Sequence, residues 1–122
     1  MVYTILVLAL RKEGIKHSEF ISRYESHMQM VTGLAGDTAP LSHIRLYPKH
    51  DSATDRPILV AGNANDMPYS AAVMLDFGSE QDFHEFTKNL LEPEANAKIT
   101  ADEEGFWERE GMKVMVVDRY GG

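Results

Sequence analysis

The stretch VYTILVLAL, residues 2–10, decides the fold of this chain. If these residues form a strand, consecutive side chains point to opposite faces, and both faces are apolar. One face carries Val2, Leu6, Leu8 and Leu10, and the other carries Tyr3, Ile5 and Val7. Strands with two apolar faces are covered on both sides. We therefore predict that this strand belongs to a sheet and that other parts of the structure pack against both of its faces.

The first half of the chain continues with a helix and two strands. Residues 19–33 predict an amphipathic helix, with Ser18 as its N-cap and the glycines of GLAG at its end. Residues 41–48 and 69–77 predict the second and third strands. Between these strands, residues 49–68 contain most of the turn-forming residues and no clear period, which predicts a long surface loop.

The second half adds two helices and a last strand. Ser79, followed three residues later by Asp82, resembles a capping box and predicts the start of a helix. Pro93 suits the first turn of another helix, at about residues 93–106. Residues 112–118 predict the fourth strand.

The element order βαββ(αα)β predicts an α+β fold of the ferredoxin-like, split βαβ type over the single domain 1–122. In this fold the helices cover one face of a four-stranded antiparallel sheet. Strands one, three and four are apolar on both faces, so the second face needs another partner. A second copy of the chain is the simplest one, and we expect a homodimer.

Composition limits the classes of function. The chain has 122 residues, of which 43% are hydrophobic and 25% charged, with no cysteine and a net charge of −7. The absence of cysteine excludes disulfides and thiolate sites, and the net charge argues against a nucleic-acid partner. The apolar start is followed, not preceded, by Arg11 and Lys12, and it is too short to span a bilayer. We expect a cytoplasmic protein with no membrane partner.

His27 stands within the stretch YESHMQMV, residues 24–31, on the apolar stripe of the first predicted helix. Two interpretations are open. The ring is a core residue whose nitrogens are hydrogen-bonded, or it is a general acid or base on the wall of a pocket. A metal site is disfavoured because no second ligand stands four residues away. We therefore expect neither a metal nor a cofactor.

The second strand carries His43, Arg45 and Tyr47 on one face and Ile44 and Leu46 on the other. If the two apolar residues face the helices, the three polar residues face the interior of a barrel. They are then either a solvated edge or the lining of a cavity. In a cavity, Arg45 would bind a carboxylate, and Tyr47 or His43 would donate a hydrogen bond to an enolate or phenol oxygen.

Three further residues are candidates for substrate contact. The ring of Tyr24 either belongs to the core or brings its hydroxyl to the pocket. Tyr69 begins the third strand beside the long loop. Asp102 belongs to a run of carboxylates with Glu103, Glu104, Glu108 and Glu110. The run forms a solvated face or, in the alternative, one of its members orients His27.

Two motifs resemble those of the EthD-domain family. The first is F-x3-Y-x2-H at Phe20, Tyr24 and His27, and the second is A-D-E-x2-F at residues 101–106, followed by a valine-rich strand. EPEA at residues 92–95 is a weaker match. The resemblance covers nearly the whole chain, and the loop at 49–68 matches least.

The resemblance implies a dimeric α/β barrel, in which two ferredoxin-like sheets face each other. Similar small proteins in fungal polyketide pathways act as decarboxylases, dehydratases or cyclases. This implies a cofactor-independent lyase that decarboxylates an aromatic or pre-aromatic polyketide carboxylic acid, with His27 as the general acid. Arg45 would hold the carboxylate, and Tyr47 or His43 the developing oxyanion. The alternatives are a cyclase or dehydratase, a cofactor-free monooxygenase, and a non-catalytic binder of a hydrophobic intermediate.

Overall fold

The computed structural model describes residues 2–121 and has the predicted ferredoxin-like α+β architecture. The four strands form one antiparallel sheet in the order β2-β3-β1-β4. Three helices pack on one of its faces, which leaves the other face open. The elements are β1 (Tyr3–Arg11), α1 (His17–Ala35), β2 (Ser42–Leu46), β3 (Ala71–Phe77), α2 (Glu80–Leu90), α3 (Pro93–Glu103) and β4 (Trp107–Val117).

The core lies between the helices and the central strands β1 and β3. Opposite residues such as Ile5 and Leu75, or Val7 and Val73, share the helix-facing side of the sheet. Ile5 and Val73 are almost fully buried there. On the helical side, the core is completed by Phe20, Tyr24, Val31, Phe86 and Ile99. The alternation in residues 2–10 therefore correctly identified a strand with two different apolar faces.

Helix α1 is longer than the sequence predicts. Its buried residues are His17, Phe20, Tyr24, His27, Val31 and Ala35, spaced three or four apart. It begins at His17 and not after Ser18, because the carboxylate of Asp55 accepts the backbone N–H of His17 at 3.2 and 3.4 Å. This cap comes from the distant 49–68 loop. At the other end, Gly36 has φ 58°, a conformation that suits glycine and ends the helix.

The boundaries of the later elements follow local signals, with one exception. Ser79 is the N-cap of α2 and accepts the backbone N–H of Asp82 at 3.1 Å, as its capping-box pattern predicts. Strand β4 begins at Trp107 and not at residue 112. Its pairing with β1 shifts between Leu8 and Leu10. A side chain at Gly111 would meet the end of the Leu10 side chain, which would have to move. This irregularity hides the strand period.

The orientation proposed for β2 is wrong. Ile44 and Leu46 lie on the open face, with 39% and 58% of their surface exposed. His43, Arg45 and Tyr47 face the helices, because Arg45 pairs with Val73, which belongs to the helix-facing core. The polar side chains are accepted there because this edge strand lies beside polar groups of α1.

The open face is mostly apolar but has a polar cluster at one end. Asp76 is buried and accepts hydrogen bonds from Thr4 at 2.6 Å and from Ser42 at 2.9 Å. Arg119, just after β4, forms an ion pair with the same carboxylate. The strong hydrogen bond from Thr4, supported by Ser42 and Arg119, holds the pKa of Asp76 below its ordinary value. Asp76 is therefore a stable buried carboxylate on the face away from the helices.

The loop at 49–68 is tied to the body of the protein. Asp55, which has φ 55°, binds Arg11 through both its side chain, at 2.6 Å, and its backbone carbonyl, at 2.9 Å. His50 pairs with Pro57 in an isolated bridge and stacks on His17, with ring centroids 3.5 Å apart.

Within residues 2–121, no helix is both long and apolar enough to cross a membrane.

Candidate active site

A cavity of about 140 Å³ lies between α1 and the sheet. Its wall is mostly apolar and is built by residues from all three helices and from strands β1 to β4. The polar or amphipathic residues in the wall are Tyr24, His27, Thr32, His43, Glu103 and Trp107. An apolar cavity with a few converging polar groups is the usual form of a small-molecule site.

His27 is held at this wall by two carboxylates. The residue is 1% exposed, and its Nδ1 lies 2.7 Å from Oδ2 of Asp102. On the other side of the ring, Nε2 lies 3.4 Å from Oε2 of Glu103. The ring can donate to both carboxylates only as imidazolium. As the neutral ring with its proton on Nδ1, it can accept a proton at Nε2, so His27 and Glu103 are placed to exchange one.

Sequence reasoning considered Glu103 only as one of several carboxylates that could orient His27 and did not choose it as a site residue. It lies at the end of α3, is 6% exposed, and has its Oε1 3.4 Å from Nη2 of Arg109. In the sequence it belongs to a run of carboxylates that suggests a solvated face. The A-D-E motif was the available signal, because it places Glu103 next to Asp102.

His43 also lines the cavity, and its Nε2 is buried with no hydrogen-bond partner among the described residues. Burial, assisted by the positive charge of Arg45, lowers the pKa of His43 below its ordinary value. The ring is therefore neutral near pH 7 and can give or accept one hydrogen bond at Nε2.

Arg45 and Tyr47 are turned to a different partner, Glu25 of α1. Arg45 binds it through Nε at 2.5 Å and Nη2 at 2.9 Å, and the Tyr47 hydroxyl donates to it at 2.5 Å. The hydrogen bonds from Arg45 lower the pKa of Glu25, while burial and the contact with Glu25 raise the pKa of Tyr47. Neither Arg45 nor Tyr47 lines the cavity around His27.

The remaining candidates are divided between the cavity and its surroundings. Tyr24 lines the cavity and is 1% exposed, and its ring centroid lies 5.4 Å from that of Trp107. Burial raises the pKa of its hydroxyl. Tyr69 precedes β3 and is not part of the cavity wall. Asp102 contacts His27 and not the cavity itself, which is the orienting arrangement considered as the alternative for this carboxylate.

Trp107 is a second residue that sequence reasoning missed. It begins β4, lines the cavity, and packs against His27 with ring centroids 5.9 Å apart. Its Nε1 is buried with no hydrogen-bond partner in the part of the chain that the structure describes. The predicted strand began five residues too late to draw attention to this position.

Among residues 2–121, no group of three or more His, Asp or Glu side chains is arranged to hold a metal ion.

The EthD domain family matches residues 12–110, and the chain belongs to this family. Solved structures with a similar fold include an EthD-like protein from Ralstonia eutropha, 18% identical with a TM-score of 0.53, over 97% of this chain and 95% of that one. A dimeric ferredoxin-like protein from Jannaschia sp. is 11% identical, with a TM-score of 0.59, over 98% of this chain and all of that one.

SnoaB, a cofactor-independent oxygenase from Streptomyces nogalater, is 12% identical with a TM-score of 0.53, over 99% of this chain and 94% of that one. At such low identities, these three likenesses show the fold alone. No curated protein sequence matches the chain.

Proposed function

We propose that this member of the EthD family is a cofactor-independent lyase that decarboxylates a small aromatic or pre-aromatic polyketide carboxylic acid. The observation that carries the proposal is the position of His27. Its imidazole is buried at the wall of an apolar cavity, between the carboxylates of Asp102 and Glu103. A histidine so placed can move a proton in a site with little water.

The reaction needs one proton and releases carbon dioxide. The bond between the carboxylate and its neighbouring carbon breaks, and its electron pair passes into the enolate or phenolate system of the substrate. The imidazolium of His27 then gives its proton to that carbon. Glu103, 3.4 Å from Nε2, passes a proton from solvent back to the ring. Asp102 keeps the ring in position through Nδ1.

His43 stabilises the negative charge that develops on oxygen, because His43 lines the same cavity and its Nε2 has no hydrogen-bond partner among the described residues. Arg45 has no direct role in this proposal, since Glu25 already binds its guanidinium at two positions. Tyr47 is also kept away from the substrate, because its hydroxyl donates to Glu25. In this proposal, the substrate carboxylate is therefore paired with the cationic form of His27 and not with Arg45.

The replacement His27→Gln tests this function. A general acid contributes about 10²–10⁴-fold to a rate, so we expect turnover to fall by about that factor. The measurement is carbon dioxide release from a panel of ortho-hydroxybenzoic and β-keto acids. His84→Gln is the matched control, because His84 is an exposed histidine on α2. A folded His27→Gln variant with full activity would contradict the proposal.

A cofactor-free monooxygenase is the second candidate, and the likeness to SnoaB favours it. Consumption of dioxygen separates this activity from decarboxylation. A cyclase or dehydratase would keep the carboxylate carbon in the product, and a non-catalytic binder would return the ligand unchanged. Mass analysis of the product distinguishes these alternatives in the same assay.

The chain is also proposed to work as a homodimer, joined through the open face of its sheet. Ile44, Leu46 and Met115 are exposed on that face. The similar fold from Jannaschia sp. is described as dimeric, which supports the same arrangement here. Each cavity would then lie between a sheet and its own first helix, on the outer side of a barrel.

A further inference from the structure

Trp107 has a hydrogen-bond donor that the protein does not use. It is the only tryptophan of the chain, and its Nε1 is buried without an acceptor among the described residues. Buried polar groups are nearly always paired, since an unpaired one loses its hydration without compensation. Trp107 lines the same cavity as His27, so a ligand in that cavity is in reach of its ring.

Three residues in the wall have a buried polar atom without a hydrogen bond among the described residues, namely Nε1 of Trp107, Nε2 of His43 and Oε1 of Glu103. The chemistry of these atoms limits the ligand. The indole nitrogen can only donate, so its partner must be an acceptor such as a carbonyl, phenolate or carboxylate oxygen. Nε2 of His43 accepts or donates one hydrogen bond, whereas Oε1 of Glu103 already lies 3.4 Å from Nη2 of Arg109. A hydrocarbon leaves all three atoms unpaired. An ammonium group could donate to Glu103 but offers Trp107 no acceptor.

The size and polarity of the cavity limit the ligand further. A volume of about 140 Å³ is close to that of an apolar protein cavity of about 150 Å³ known to hold benzene. Val7, Val31, Val73 and Phe86 supply apolar walls. The space therefore suits a single aromatic ring, and further rings of a larger molecule would extend outside it.

We propose that this cavity binds a single aromatic ring carrying an acceptor oxygen, and that the indole N–H of Trp107 donates to this oxygen. The inference rests on the proposed function, whose substrate class it narrows to acids that carry an acceptor oxygen on a single aromatic ring. Trp107 thereby becomes a specificity residue, distinct from the proton-transfer group around His27.

The test is a titration followed by nuclear magnetic resonance. A ¹⁵N-labelled chain with one tryptophan gives one indole N–H signal, which reports this hydrogen bond directly. The probes are 2-hydroxybenzoate and toluene, which share the ring but not the oxygens. We expect 2-hydroxybenzoate to move the indole proton downfield in a saturable way, and toluene to cause no downfield shift. Equal shifts with both probes, or binding of neither, would overturn the inference.

The variant Trp107→Phe keeps a ring in the wall and removes the donor. We expect its affinity for 2-hydroxybenzoate to fall about five- to tenfold, the effect of one neutral hydrogen bond, and its affinity for toluene to stay within about twofold. Unchanged affinity for 2-hydroxybenzoate in a folded variant would also overturn the inference. If the variant does not fold, the titration of the natural chain decides the question alone.

The two proposals fail separately. If His27→Gln keeps full turnover and the expected indole shift is seen, the catalytic role of His27 is contradicted, but the proposed class of ligand is still supported. If no indole shift is seen and His27→Gln loses most of its turnover, the role of Trp107 is contradicted, but the proposed reaction is still supported.

Discussion

His17 is a buried histidine whose ring stacks on that of His50 where α1 meets the 49–68 loop. Burial lowers the pKa of His17 from 6.5 to about 4, with further contributions from His50 and Arg11, while Asp55 acts in the opposite direction. The folded protein therefore keeps this ring neutral at a pH at which the unfolded chain protonates it. Folding stability is linked to that difference.

This gives a prediction for the pH dependence of stability. Between pH 6.5 and about 4 the unfolded chain binds the extra proton and the folded chain does not, so stability falls as the pH decreases through this window. Solvent screening near the surface reduces the effect, and we expect a loss of about 1–2 kcal/mol. Urea unfolding of the natural chain and of His17→Phe at pH 7 and pH 4.5 measures it.

The variant should lose less stability on acidification than the natural chain, because Phe does not titrate. The comparison is needed because protonation of carboxyl groups such as Glu25 and Asp76, whose pKa values are lowered, also destabilises the fold at low pH. His84→Gln is the control with an exposed histidine. Equal losses in the natural chain and in His17→Phe would contradict the assignment to His17.

The candidate site was partly predictable at this scale. The helical stripe located His27, because the spacing of buried residues along α1 is a local property. Glu103 was considered only as one of several carboxylates, and Trp107 was not found. One was hidden in a run of charges, and the other stands at a strand start that the irregular pairing at Gly111 hides. Glu25 was also missed, because it contacts Arg45 and Tyr47 only if these residues face the helices. The pairing of β2 with the distant strand β3 determines that orientation.

At the scale of elements, Glu25 connects α1 to β2. Its carboxylate accepts two hydrogen bonds from Arg45 and one from Tyr47 in a partly buried position. This connection explains why β2, an edge strand, can point polar side chains toward the helices. The sequence of β2 alone is equally compatible with either orientation, since one face is polar and the other apolar.

Replacing Glu25 by Gln therefore should destabilise the fold, because the guanidinium of Arg45 loses its bidentate partner. We expect a loss of about 1 kcal/mol, a modest value because both side chains are partly exposed. Glu19→Gln on the same helix is the matched control, since its pair with Arg23 is longer, at 3.7 Å, and more exposed. Chemical unfolding measures both variants, and equal losses would show that the connection adds nothing specific.

At the scale of the whole molecule, the sequence predicted the fold well because element order and two-faced strands limit the topology. The open face of the sheet and the outer edge of β4 remain unpartnered in a single chain. Val114 and Val116 are exposed on the helix-facing side of β4, and Met115 is exposed on the other. The helices therefore leave part of β4 exposed even on their own side.

The replacement Leu46→Lys tests the dimer. Leu46 is already exposed in a single chain, so the charge should leave the fold intact and weaken association by at least about tenfold, because pairing of the two sheets would bury it. Leu91→Lys is the control, since Leu91 is an exposed leucine at the end of α2. In sedimentation velocity at micromolar concentration, a natural chain near 13.7 kDa would contradict the dimer.

The cluster of Thr4, Ser42, Asp76 and Arg119 has a consequence for how two sheets can be aligned. Side chains repeat every two residues along a strand, so a purely apolar face offers several almost equivalent offsets to a second face. In the proposed dimer, the cluster should make these offsets unequal, because an offset that places the ion pair against apolar side chains costs desolvation. We therefore expect the cluster to favour one alignment of the two sheets and, with it, one spacing between the two cavities.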